Sequence, residues 1–244
     1  MKRDWCKREF RKMVTLGASI AAGGWSSSRE LCWASQLARL ISEFQHEPVH
    51  LINSGIGANL ISARSPGYSQ SGKPAASERI EKHVIAHNPD LVIISDYGVT
   101  DARGGTPQAL FREEMISIIN RIRKKCNPLI VLSGPSYMTD FSLGGETWGH
   151  ANLDIFRQFN CLISEVAKSS DCLFADMLSA NGETDWMVHY DGCHANDLGH
   201  RIIANRIFEV LAQNCSCLSL KTKELEKTSP RWRDESTLRA DYGY

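Results

Sequence analysis

Short apolar runs alternate with longer amphipathic stretches along most of the chain. Residues 13–16, 49–52, 91–95, 129–133 and 172–175 are brief and largely apolar, which predicts strands covered on both faces. Between them, residues 31–44, 77–86, 107–125 and 152–168 repeat apolar positions at helical spacing. In the third of these, Leu110, Met115, Ile118, Ile119 and Ile122 share one side, with Arg and Glu opposite. A last helix is predicted over 197–211, capped by Asn196 or Asp197. Strand and helix alternating five times predict a three-layer α/β/α sandwich around a central five-stranded parallel sheet.

The pattern also divides the chain. Residues 1–12 read as a basic N-terminal extension and 13–215 as one α/β domain. Residues 216–244 are charged, carry a Ser-Pro break and show little apolar periodicity, so they read as a flexible tail or a surface-docked arm.

Composition changes this picture little. With 244 residues, 42% hydrophobic and 23% charged, the chain can bury a full core. Lys+Arg and Asp+Glu both number 28, so no global field favours nucleic acid. No run approaches the roughly 18 apolar residues that span a bilayer. The basic start MKRDWCKREFRK lacks a following apolar core and cleavage site; as given, the chain reads as cytoplasmic, with secretion left open if a leader is missing. The 8 Cys are scattered without zinc-like spacing and read mainly as reduced, buried small hydrophobes.

In an open α/β sheet, ligands bind beyond the carboxyl ends of the strands, where strand order reverses. The segments expected there are Gly17-Ala18-Ser19, then Asn53-Ser54-Gly55-Ile56-Gly57-Ala58-Asn59, then Tyr97-Gly98-Val99-Thr100-Asp101, and finally Tyr190-Asp191-Gly192-Cys193-His194-Ala195-Asn196. A hydroxyl nucleophile needs a base, and the base needs a group that fixes its tautomer. Asp191 and His194 are three residues apart, so the carboxylate can reach Nδ1 and leave Nε2 facing Ser19. Backbone N–H groups of the Gly-rich second loop can approach an oxyanion closely, and Thr100 adds a side-chain donor.

These four segments, in this order over about residues 13–212, resemble the four blocks of the SGNH (GDSL-like) hydrolases. The resemblance implies a flavodoxin-like sheet, a Ser–His–Asp triad, no metal or other cofactor, and a small-molecule ester substrate, often an acetylated sugar, a lipid or a thioester. It places the nucleophile at Ser19, the acid at Asp191 and the base at His194. It places the oxyanion hole at the N–H groups of Ser19 and Ala58, with Thr100 where the family usually has Asn. Ala18 stands for the family's Asp. Ala58 stands for Gly, a change without cost if its φ is negative, because only the N–H is used.

Bland readings stand beside these. Ser19 alone would be a turn residue; His189, Asp191, Cys193 and His194 could be drawn as a metal cluster, but alternate residues of an extended run point opposite ways. Gly55-Ile56-Gly57 lacks the third glycine of a dinucleotide loop. His150, Trp25 and Trp148 are candidates for the substrate mouth, Asp101 and Arg103 for bracing the third loop, and His200 for a structural role. The alternative to an esterase is a carbohydrate- or ligand-binding domain that kept the cleft and lost turnover through Thr100.

Overall fold

The computed structural model describes residues 2–229 and 235–243. Five parallel strands form one sheet in the order β2-β1-β3-β4-β5: β1 Lys12–Gly17, β2 His50–Gly55, β3 Leu91–Ile94, β4 Leu129–Ser133 and β5 Leu173–Ala175. The longer helices are α1 Trp33–Glu43, α2 Ala76–His83, α3 Tyr97–Arg103, α4 Gln108–Lys125, α5 Leu153–Ser169, α6 Asp197–Asn214, α7 Leu220–Leu225 and α8 Glu235–Tyr242. The three-layer sandwich expected from the pattern is the fold observed.

Period-two alternation sends neighbouring strand residues to opposite faces, and both faces are apolar. Val14, Leu16, Val92, Ile94, Ile130 and Leu132 meet Phe111, Ile118 and Ile122 of α4 and Phe156 and Ile163 of α5 in one core. Met13, Leu91, Ile93, Val131 and Leu173 meet Trp33, Leu37 and Ile41 of α1 and Ile203, Ile207 and Leu211 of α6 in the other. On α4 the buried stripe runs from Phe111 rather than Leu110. Asn196 caps α6, its side chain accepting from the N–H of Gly199.

The chain order reverses at β1, which lies between β2 and β3. The crevice beyond its carboxyl end therefore separates the loop after β1 from the segment after β3, where such sheets bind ligands. Sequence reasoning misses one element there: residues 97–103 were expected as a loop and form α3.

The expected boundaries at 12 and 216 cross packed chain. Phe10 is fully buried, and Gln45 accepts from its N–H at 3.1 Å and donates to its carbonyl at 2.6 Å. The N–H of Trp5 donates to Asn214 O, and that of Cys217 to Cys6 O. Cys217 and Leu218 are also buried, so the core continues past the position where the tail was expected to begin. Beyond it, α7 and α8 bury no residue; residues 230–234 and 244 of the expected tail lie outside the described residues. Removing a buried Phe costs about 3–5 kcal/mol. Phe10→Ala should accordingly lower the unfolding free energy by about that amount in urea titration, whereas a loss below about 0.5 kcal/mol would mark residues 1–12 as a dispensable extension.

Candidate active site

The turn after β1 closes tightly around Ser19. The N–H of Ala22 donates to Ala18 O at 3.0 Å, that of Gly23 to Ile20 O at 3.1 Å and that of Gly24 to Ser19 O at 2.7 Å. Gly24 cannot be larger here, because a Cβ would lie 2.8 Å from Ser19 O. Gly55, at the end of β2, is pressed against the same turn, where a Cβ would come within 2.1 Å of Ala22 N. From α6, the buried His200 accepts from Trp33 N–H at Nδ1 (3.3 Å) and donates from Nε2 to Gly24 O (3.1 Å). Burial pushes its pKa down, in keeping with a neutral ring that has one donor and one acceptor.

His194 meets this turn from the other end of the chain. Its Nε2 lies 2.9 Å from Ser19 Oγ and its Nδ1 2.5 Å from Asp191 Oδ2. The second oxygen of Asp191 accepts from the N–H groups of Cys193 and His194, each at 3.1 Å. The Trp25 indole N–H also donates to Asp191. Burial alone would raise this carboxyl, but the backbone and imidazole donors of His194 and the N–H of Cys193 outweigh it and hold Asp191 at about 2. Trp25 further stacks on His189 at 5.4 Å and meets His194 edge-on at 5.5 Å. Sequence reasoning placed Trp25 at the mouth; its bond to Asp191, across 166 positions, has no local signal.

A cavity of about 440 Å³ opens on this pair, lined by Ser19, Ala58, Asp96, Thr100, Arg103, Trp148 and His194 among others. Among the described residues, neither the N–H of Ser19 nor that of Ala58 donates within the protein. Ala58 has φ +55°, so the condition under which it replaces glycine at no cost is not met: its Cβ sits in the left-handed region. Thr100 lies inside α3 rather than on a loop, and its hydroxyl donates to Asp96 O at 3.3 Å. His150 packs beside Gly105 instead of lining the cavity.

The surrounding segments are tied together by buried polar groups. Asp101 accepts from the N–H of Ile61 (3.0 Å) and the hydroxyls of Ser65 (3.1 Å) and Thr106 (2.7 Å), and burial pushes its carboxyl up to about 7. Arg103 donates to Cys193 Sγ at 2.9 Å and to Leu143 O at 2.5 Å, bracing α3 against the His194 loop. Arg79 of α2 donates to Gly17 O, Ser54 O, Asn59 Oδ1 and Tyr97 Oη; an Arg on an amphipathic helix reads as solvated, and sequence reasoning passed over it. Among the described residues no group of three or more His, Cys, Asp or Glu is arranged to hold a metal ion, and no helix is long and apolar enough to cross a membrane.

The fold recurs in solved structures. A lipase/acylhydrolase from Enterococcus faecalis superposes with a TM-score of 0.64 at 23% identity, over 83% of this chain and 96% of that one. A variant of an acetyl xylan esterase from Geobacillus stearothermophilus gives 0.63 at 17% identity, over 84% and 96%. A two-domain esterase active on acetylated mannans gives 0.61 at 20% identity, over 86% of this chain and 49% of that one. At these identities the likeness shows the fold alone. No curated protein sequence matches the chain. The profile of the GDSL-like lipase/acylhydrolase family, however, matches residues 15–202, the span that carries every segment of the cleft, and the chain belongs to that family of ester-cleaving hydrolases.

Proposed function

We propose that the protein is a serine esterase that cleaves small acyl esters, with acetylated sugars as the substrate class, by a two-step acyl-enzyme mechanism. The observation that carries this reading is the unbroken Ser19–His194–Asp191 relay, with contacts of 2.9 and 2.5 Å, opening on a cavity of about 440 Å³. The family's ester chemistry supports the reaction type, and the fold neighbours active on acetylated mannan and xylan support the substrate class.

In this mechanism Ser19 Oγ attacks the ester carbonyl while His194 Nε2 takes its proton. Asp191 accepts the Nδ1 proton in a hydrogen bond, so the ring presents its acceptor to the serine. Held at about 2, Asp191 stays a carboxylate and stabilises the imidazolium without taking its proton. The oxyanion is received by the N–H groups of Ser19 and Ala58, with the Thr100 hydroxyl assisting. His194 then protonates the leaving alkoxide, water repeats the sequence, and the acid is released. The low folded-state pKa has a second effect. The stability Asp191 contributes is complete above about pH 4 and is lost as pH falls toward its folded value.

Three tests follow from these roles. A fluorophosphonate should label the wild type at Ser19, and Ser19→Ala should abolish both label and ester turnover. His194→Ala and Asp191→Asn should each cost roughly 10³-fold or more in kcat while leaving the circular dichroism spectrum unchanged; label that persists on Ser19→Ala at the same rate defeats the assignment.

For Thr100, removing one good oxyanion donor costs about 100- to 1,000-fold. A hydroxyl shared with a helix carbonyl should supply only part of that, so Thr100→Val should lower kcat about tenfold and Thr100→Asn raise it about tenfold, each with KM little changed. If both match the wild type, the hole consists of backbone alone.

Ala58 tests the second loop. A non-glycine residue in the left-handed region costs roughly 1–2 kcal/mol, part of which Gly returns as extra chain entropy on unfolding. Ala58→Gly should therefore stabilise the fold by about 0.5–1 kcal/mol, read as a rise of about 1–4 °C in Tm for a domain of this size. A fall in Tm would show that the alanine methyl contributes packing that outweighs its strain.

A further inference from the structure

Asp96 follows β3 after one intervening residue, Ser95; it is 4% exposed and has φ +70°. Its side chain lies under the nucleophile's turn. Oδ2 accepts from the N–H of Ala21 at 2.5 Å, and Oδ1 accepts from Ser95 Oγ at 2.7 Å. Ser95 Oγ in turn accepts from Ser133 Oγ at 3.0 Å. The approach is close: a Cβ on Gly17 would lie 3.3 Å from Oδ2 and 2.8 Å from Ser95 O. The carboxyl is thus anchored on β3 and β4 and reaches across to a turn on β1.

That turn needs such a group. Residues 18–24 form a tight turn closed by the N–H groups of Ala22, Gly23 and Gly24, and, as at the start of a helix, the N–H groups that open it have no backbone acceptor inside it. A side-chain oxygen just before the turn ordinarily serves them, but Ala18 carries none. We infer that Asp96 is a positioning residue for the nucleophile, capping the turn from the neighbouring strand so that Ser19 Oγ is held on His194 Nε2 while the Ser19 N–H stays unspent. The division of donors is specific. Ala21 gives its N–H to Asp96, and Ser19 keeps its own for the oxyanion. Burial raises the Asp96 carboxyl, opposed by the Ser95 hydroxyl, the N–H groups of Ala21 and Ala18, and the charge of His194.

The inference rests on the esterase reading, and the experiment separates the two. Asp96→Ala, Asp96→Asn and Ser95→Ala are made in the full chain, with folding followed by thermal melting. Two rates are measured: fluorophosphonate labelling of Ser19, which requires no knowledge of the natural substrate, and kcat with KM on an aryl acetate. A misplacement of about 1 Å at a reacting group costs about 100-fold. Asp96→Ala should slow both labelling and kcat by about that factor, with KM changed less than about threefold. Asp96→Asn keeps an oxygen for the Ala21 N–H and can give its amide hydrogen to Ser95, so it should recover to within about tenfold of the wild type. If Asp96→Ala does not fold, Asp96→Asn and Ser95→Ala carry the test. Ser95→Ala, which frees the carboxyl from its anchor, should fall below Asp96→Asn.

Several results overturn the inference. One is a folded Asp96→Ala that labels as fast as the wild type. Another is Asp96→Asn as slow as Asp96→Ala, which would make the charge rather than the acceptor the requirement. A third is a rise in KM with kcat preserved, which would place Asp96 against substrate. When Asp96→Ala is unfolded, Ser95→Ala at or above the Asp96→Asn rate also overturns it. No label on wild-type Ser19 would defeat the esterase reading, and this inference with it; label on the wild type leaves the outcome to the variants.

Discussion

A buried guanidinium holds the carboxyl ends of the first two strands in register with the segment after β3. Arg79 is 4% exposed, and among the described residues no carboxylate forms an ion pair with it. Taking a charge out of water is costly unless its donors are satisfied. Here neutral oxygens do so: Ser54 O at 2.6 Å, Asn59 Oδ1 at 2.7 Å, and Gly17 O and Tyr97 Oη at 3.0 Å. Each acceptor lies one to three positions from a cleft residue. Gly17 precedes Ser19, Asn59 follows Ala58, and Tyr97 opens the helix that carries Thr100. The segments that carry Ser19, Ala58 and Thr100 are therefore joined by one side chain on α2, outside the cleft. Loss of that side chain would leave several buried oxygens unsatisfied.

A second set of contacts fixes His194 and its loop. Asp191 is held by two backbone N–H groups and an indole, and Arg103 ties α3 to Cys193 in the same loop. His200 adds a link from α6 to the turn that carries Ser19. Most of these partners are backbone atoms, whose positions follow from the ends of strands and helices. The strands are anchored on both faces by apolar cores. Precision in the cleft is in this sense inherited from the packing beneath it.

The sheet was legible because its strands are apolar on both sides, a pattern that few other elements share. That Ser19, Ala58, Thr100 and His194 would come together at one edge could be anticipated, because loops that follow parallel strands open on the same side of the sheet. Other features were hidden for identifiable reasons. Residues 97–103 contain a glycine and β-branched residues of low helix propensity, and only burial of Tyr97 through Ala102 makes them helical. Asn53 to Gly55 look like loop, yet they continue β2 because Asn53 meets Thr15 Oγ1 at 3.0 Å and Ala21 O at 2.7 Å. Asp96 falls between the strand run 91–95 and the segment 97–101 and was passed over; its contact with Ala21 is made across 75 positions. The sign of φ at Ala58 could not be read from residue type at all.

Parallel pairing makes every strand contact non-local, and the cleft is the most non-local part of the molecule. Ser19 and His194 are 175 positions apart, and their partners Trp25 and Asp191 are 166 apart. Contacts of such separation form late, because the entropy of closing the intervening chain is lost before they give anything back. During synthesis, the strand that leads to Ser19 leaves the ribosome long before the loop that meets it. For most of that time β1 has only an incomplete sheet to pair with. On the proposed function, reactivity at Ser19 would report the completion of folding rather than the presence of secondary structure. A nascent or partly refolded chain that holds its sheet and helices but lacks the Ser19–His194 contact would, on that reading, carry an unreactive serine.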